Sequence, residues 1–136
     1  MKRILMAGVV VLLFSVGVRI GLAHHSYAEF LDHTVVVEGT LEKAAFGNPH
    51  TILTLRTNDA ALYSAIWNAA FQLQSRGVHA TDLKVGDVLV VTGFPSRDPA
   101  MHQLAKLREV RRPTDGWTWR IDRTSGHVTV TGGLSR

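Results

Sequence analysis

Cysteine is absent from all 136 residues. That absence excludes a disulfide framework, thiolate metal ligands, c-type haem attachment and a cysteine nucleophile. Any bound metal must therefore use imidazole, carboxylate, thioether or amine ligands. Catalytic signatures are equally scarce. No phosphate loop, dinucleotide fingerprint or His-Glu-x-x-His helix occurs. Ser26, Ser64, Ser75 and Ser96 lack the Gly-x-Ser-x-Gly setting of a hydrolase nucleophile. Glu29, Asp32, Glu38 and Glu42 crowd one short stretch, not the two sides of a cleft that an acid/base pair would occupy. No internal repeat or low-complexity tract is present. These absences point to a binding domain and not to an enzyme.

What is present begins with an address. Met1-Lys2-Arg3 is a basic head, Ile4 to Val16 is almost wholly apolar, and Gly21-Leu22-Ala23 places small residues around a cleavage site. This is the three-part pattern of a secretory signal. Residues 1–23 are thus expected to be a cleaved signal peptide, and the mature protein periplasmic or secreted. The alternative is an uncleaved anchor, but the apolar run falls short of the roughly 20 residues that span a bilayer. No stable membrane span is expected after cleavage. Removing Lys2, Arg3 and Arg19, with no acidic residue among the first 23, lowers the formal charge from +4 to +1. Bulk charge then gives no reason to expect a nucleic-acid partner.

The remaining chain reads as short strands. Thr34 to Leu41 is β-branched, with Gly39 marking a bulge or a close backbone approach. Gly47-Asn48-Pro49 is a turn, after which Thr51 to Thr57 alternates apolar and polar residues and Ala61 to Trp67 returns as its hairpin partner. Ala69 to Arg76 favours a short helix, with Gly77 where a C-terminal cap belongs. Val88 to Phe94 is the most hydrophobic strand and is expected to be central. Gln103 to Val110 is a further strand broken at Arg111-Arg112-Pro113. Trp117 to Ile121 and His127 to Val130 then form a second hairpin around Thr124-Ser125-Gly126. The pattern predicts an all-β fold with one short helix: a small, partly open barrel of the oligonucleotide/oligosaccharide-binding (OB) kind. A β-sandwich is the alternative. The barrel is expected over residues 24–112, and a C-terminal hairpin extension over 113–136.

The order His24-His25-Ser26, Gly39-Thr40, Asn48-Pro49-His50, Gly86-Asp87 and Gly93-Phe94-Pro95 resembles a group of small exported bacterial proteins, domain of unknown function 6152. The likeness runs from about residue 23 to residue 112. Phe46-Gly47 stands shifted against the family's usual aromatic, and Trp67 lacks the acid of its Trp-x-x-Glu-like segment. The resemblance implies export and an OB-like barrel, and it supplies no established activity.

Two candidate sites stand out. If cleavage follows Ala23, His24 can chelate copper(II) through its α-amine and ring, because copper heads the affinity order for such nitrogen ligands. Adjacent side chains on an extended segment point to opposite faces. His50, held by Pro49, is then a better third ligand than His25 if the N-terminus packs across the 47–50 turn. Cleavage one residue earlier would make Ala23-His24-His25 an amino-terminal copper motif, at the cost of an unfavourable Leu22 beside the cut. The structural alternative leaves His24 and His25 in solvent, with His50 capping its turn and Asn48 closing an Asx-turn.

Trp117 and Trp119 share one strand face and form the second candidate, a stacking surface for a sugar or peptide. The alternative is that they cover the open end of the barrel. Arg108, Arg111, Arg112 and Arg120 surround them as a basic patch. Two functions follow. One is a periplasmic metal-binding protein with copper on His24, His25 and His50. The other is an interaction or adaptor domain that holds a protein, glycan or other ligand on its barrel face and Trp-rich hairpin.

Overall fold

The computed structural model describes residues 27–132. Seven strands and one short helix follow the lead-in: β1 (Val35–Ala45), β2 (Ile52–Arg56), β3 (Leu62–Ile66), α1 (Ala70–Gln74), β4 (Val88–Pro95), β5 (Gln103–Arg112), β6 (Trp117–Ile121) and β7 (Val128–Thr131). Alternation decides which face is buried. In β1, Val37, Gly39 and Leu41 point inward and their neighbours outward, and Leu53 and Leu55 do the same in β2. β4 lies between β1 and β5, the central place its apolar run predicts.

The strands run in the order β3-β2-β1-β4-β5-β6-β7, and β3 also pairs with β5. That last pairing is parallel, Ser64 to Gln103 and Ala65 to Leu104. It closes β1 to β5 into a five-stranded barrel, where the sequence pattern predicts a partly open one. Closure leaves the barrel strands without a free edge, which removes a site for unwanted strand pairing.

Glycine and a bulge shape the tight end of the barrel. A Cβ on Gly39 would sit 2.8 Å from the carbonyl oxygen of Arg56, so this position is a close approach of two backbones. The bulge lies farther along, where the β1–β2 register slips between Leu41 and Lys43. β1 continues past the bulge to Ala45, beyond the Leu41 at which the strand was expected to end.

Helix α1 closes as its sequence predicts. Gly77 takes φ +84°, its N–H donates to the Gln74 carbonyl, and the Val78 N–H donates to the Leu73 carbonyl. This is the Schellman pattern, with buried Leu73 and Val78 forming its apolar contact.

β6 and β7 continue the barrel sheet through β5, with Val110 paired to Trp119 and Arg112 to Trp117. The hairpin expected to be an extension thus supplies core. Trp117 and Trp119 join Trp67, Leu53, Leu55, Leu89, Leu104 and Leu107 in one buried cluster. Arg112 does not break β5. Its side chain is buried and ends the strand in a clasp, donating to both carboxylate oxygens of Asp115 at 2.9 and 2.8 Å and to Asp87 at 2.7 Å. The hydrogen bonds it donates to Asp115 foremost raise its pKa above the ordinary value, against the opposing effect of burial. The same guanidinium donates to the Asp82 carbonyl, tying the segment before β4 to the β5–β6 turn.

Candidate functional site

His24 and His25 lie outside the described residues. From Tyr27 the chain is tied to the barrel. Tyr27–Glu29 forms a 3-10 turn, and Phe30 bridges to Ser96. The Leu31 N–H donates to the Pro95 carbonyl, and the Arg97 N–H donates to the Glu29 carbonyl, both at 2.9 Å. The Arg97 guanidinium adds a bond to the Ala28 carbonyl at 2.7 Å. The lead-in is therefore laid along the end of β4.

His50 is exposed on the β1–β2 turn, directly after a cis Asn48–Pro49 bond. That turn is braced against α1. The Ala70 N–H donates to the Gly47 carbonyl at 2.9 Å, and the Phe71 N–H reaches the Asn48 side-chain oxygen at 3.4 Å. Asn48 thus caps the start of α1 across the fold, where the sequence suggested a local Asx-turn. Phe71 is 61% exposed beside this turn.

The two positions lie at opposite ends of β1. Val35, its first residue, pairs with Gly93 just before the segment that holds the lead-in. Ala45, its last, pairs with Ile52 just after His50. Ten residue steps of strand separate them, about 33 Å of chain at about 3.3 Å per residue. His25 precedes Ala28 by three residues, a reach of about 10 Å. Around the barrel the other way, Pro95 pairs with Leu104, Leu104 with Ala65 and Ala65 with Leu53, three residues after His50. Among the described residues, no three His, Asp or Glu side chains come together to hold a metal.

Trp117 and Trp119 do share one face of β6, as their spacing requires, but that face looks inward. They are 4% and 1% exposed. Trp119 meets Trp67 edge to face, and Arg112 lies over the Trp117 ring at 5.8 Å. No ring face is left for a ligand to stack on, so the pair completes the core. Two of the four arginines of the expected basic patch hold carboxylates. Arg112 is spent on Asp87 and Asp115, and Arg120 pairs with Glu109 at 2.6 Å. Arg108 turns instead towards the half-buried Phe94 ring, 5.4 Å away, with Lys106 at 5.7 Å.

A different site emerges where α1 faces the hairpin. Asn68, Gln72, Ser75 and Arg76 form one wall of a cleft of about 190 Å³, and Ile121 and Val128 form part of the other. Trp119 lies at its base. Gln72 lies within α1, Asn68 just before it and Ser75 and Arg76 just after it, and no local sequence signal marks which element they oppose.

Five closed strands with a helix between the third and fourth define a small OB-like barrel. A family model described as a family of unknown function (DUF6152) matches residues 12–108, and the chain belongs to that family. No curated protein and no solved structure matches it. The match ends inside β5, so the hairpin that builds one wall of the cleft lies beyond it.

Proposed function

We propose that this protein is an exported, periplasmic binding domain that takes up copper(II) through nitrogen ligands at its mature N-terminus, with His24 and His25 as the primary imidazoles and His50 as a third candidate. The reading assigns binding and no catalysis. The observation that carries it is the anchored lead-in. Three hydrogen bonds from residues 28–31 to residues 95–97 fix where the chain that follows the histidine pair meets the barrel. A terminal amine and adjacent imidazoles suit copper(II) before other divalent metals. The absence of cysteine leaves these nitrogen donors as the strongest set in the sequence.

Copper(II) titrated calorimetrically into protein recovered from a periplasm, its N-terminus checked by intact mass, tests the proposal. One-to-one binding that is lost when the terminal amine is blocked supports it. No binding under those conditions overturns it. His50→Ala then assigns the third ligand. Unchanged affinity confines the site to the terminus, and a sharp loss brings His50 into it.

A further inference from the structure

We infer that the cleft between α1 and the β6–β7 hairpin is a binding site for a small carboxylate with a short apolar tail. Its two walls differ in chemistry. The wall at α1 carries Asn68, Gln72 and Arg76 beside Leu73, whereas the hairpin wall presents Ile121 and Val128. The Arg76 guanidinium has no hydrogen-bond or ion-pair partner among the described residues, unlike Arg56, Arg112 and Arg120, each of which holds a carboxylate. Arg76 is exposed, so it meets an incoming anion without first breaking an internal pair.

Trp119 lines the cleft and is almost wholly buried, so its emission reports on what enters. The wall at α1 supplies donors in excess: amides at Asn68 and Gln72, and the guanidinium, which pairs with a carboxylate in a planar, two-pronged way. The apolar wall excludes a second charge and favours a hydrocarbon group. The volume of about 190 Å³ is small beside the roughly 300–1,000 Å³ of pockets for larger ligands. That suits a compact ligand such as a short aliphatic acid or the C-terminal residue of a peptide. This site is independent of the copper reading, since it uses none of the histidines.

The test uses metal-free protein recovered from a periplasm, with tryptophan emission as the signal. The probes are hexanoate, hexanamide, N-acetyl-glycyl-leucine and the amide of that dipeptide. Saturable change with a carboxylate but not with its amide is expected. Arg76→Gln should weaken binding about tenfold or more, as loss of a charge-assisted contact does, and Arg76→Lys should restore part of it. Val128→Thr keeps the strand shape and should weaken binding without altering the circular dichroism spectrum. Tighter binding of hexanoate assigns the site to free acids, and tighter binding of the dipeptide assigns it to a peptide terminus. No saturable response to either carboxylate, equal response to the amides, or unchanged affinity in Arg76→Gln overturns the inference.

Discussion

The indole of Trp67 meets that of Trp119 edge to face, with ring centroids 5.1 Å apart and planes at 79°. Trp67 follows β3 inside the part of the chain that the family model covers, and Trp119 stands on β6 beyond it. One aromatic contact thus joins the barrel to the hairpin. Edge-to-face pairs add about 0.5–1.5 kcal/mol to what burial alone contributes.

Trp119→Ala is expected to destabilise the fold by about 3–5 kcal/mol, the usual cost of emptying a large aromatic site in a core. Denaturant unfolding measures it. A loss below about 1 kcal/mol would show that the hairpin folds apart from the barrel.

Arg112→Ala leaves Asp87 and Asp115 without their cation in a nearly dry setting, where the side-chain exposures of the three groups are 6%, 10% and 4%. The expected cost is about 3–5 kcal/mol, because one partner of a buried pair is removed and the other stays. Arg112→Met together with Asp87→Asn and Asp115→Asn should recover part of that stability. Thermal unfolding of the two variants side by side decides it.

Gly39→Ala places a Cβ 2.8 Å from the Arg56 carbonyl oxygen and 3.1 Å from the Leu55 Cβ. The backbones of β1 and β2 must separate, at an expected cost of about 1–3 kcal/mol. Amide exchange should accelerate first across the Thr40–Arg56 and Leu41–Leu55 pairs. Unchanged protection there would refute the close approach as a constraint.

The β6–β7 turn should loosen in acid. Hydrogen bonds from Ser125, backbone first and hydroxyl second, and then from the Thr124 N–H hold the Asp122 carboxyl below its ordinary value of 3.8. A lowered folded-state pKa means the stabilisation is present above that ordinary value and is lost as pH falls through the lower folded one. Amide exchange at Thr124 and Ser125, followed from pH 5 down to pH 2, should show increased opening, and Asp122→Ala should show it already at pH 5. Opening that is independent of pH in the unaltered chain would contradict this account.

Capping by Asn48 provides the last test. Asn48→Ala removes the side-chain oxygen that accepts from the Phe71 N–H, and an expected loss of about 1 kcal/mol follows from the usual worth of such a cap. Asn48→Asp should keep most of it. Equal stability in all three proteins would mean that the turn and α1 are held by the Gly47–Ala70 backbone bond alone.

Local pattern decided the elements. The alternation in Thr51 to Thr57, the β-branched run at Thr34 to Leu41 and the apolar run at Val88 to Phe94 set strands because side-chain direction has a period of two along extended chain. Gly77 ended α1 because a left-handed residue there costs a side chain that glycine lacks. The same reasoning put Trp117 and Trp119 on one face of β6. It carried no information on whether that face looks outward, since the answer depends on what stands across from it. What stands across is Trp67, fifty-two residues back, together with the core leucines.

Tertiary structure alone decided the rest. Barrel closure rests on two parallel residue pairs between β3 and β5, thirty-nine residues apart in the chain, and no local signal marks a long-range parallel contact. Arg112 reads as a surface cation until the fold brings Asp87 and Asp115 to it, because a charge can be buried only where partners converge. Asn48 and Phe71 become partners for the same reason, and so do the α1 wall and the hairpin wall of the cleft. A sequence fixes what each side chain can offer, and only the folded chain settles which of those offers meet.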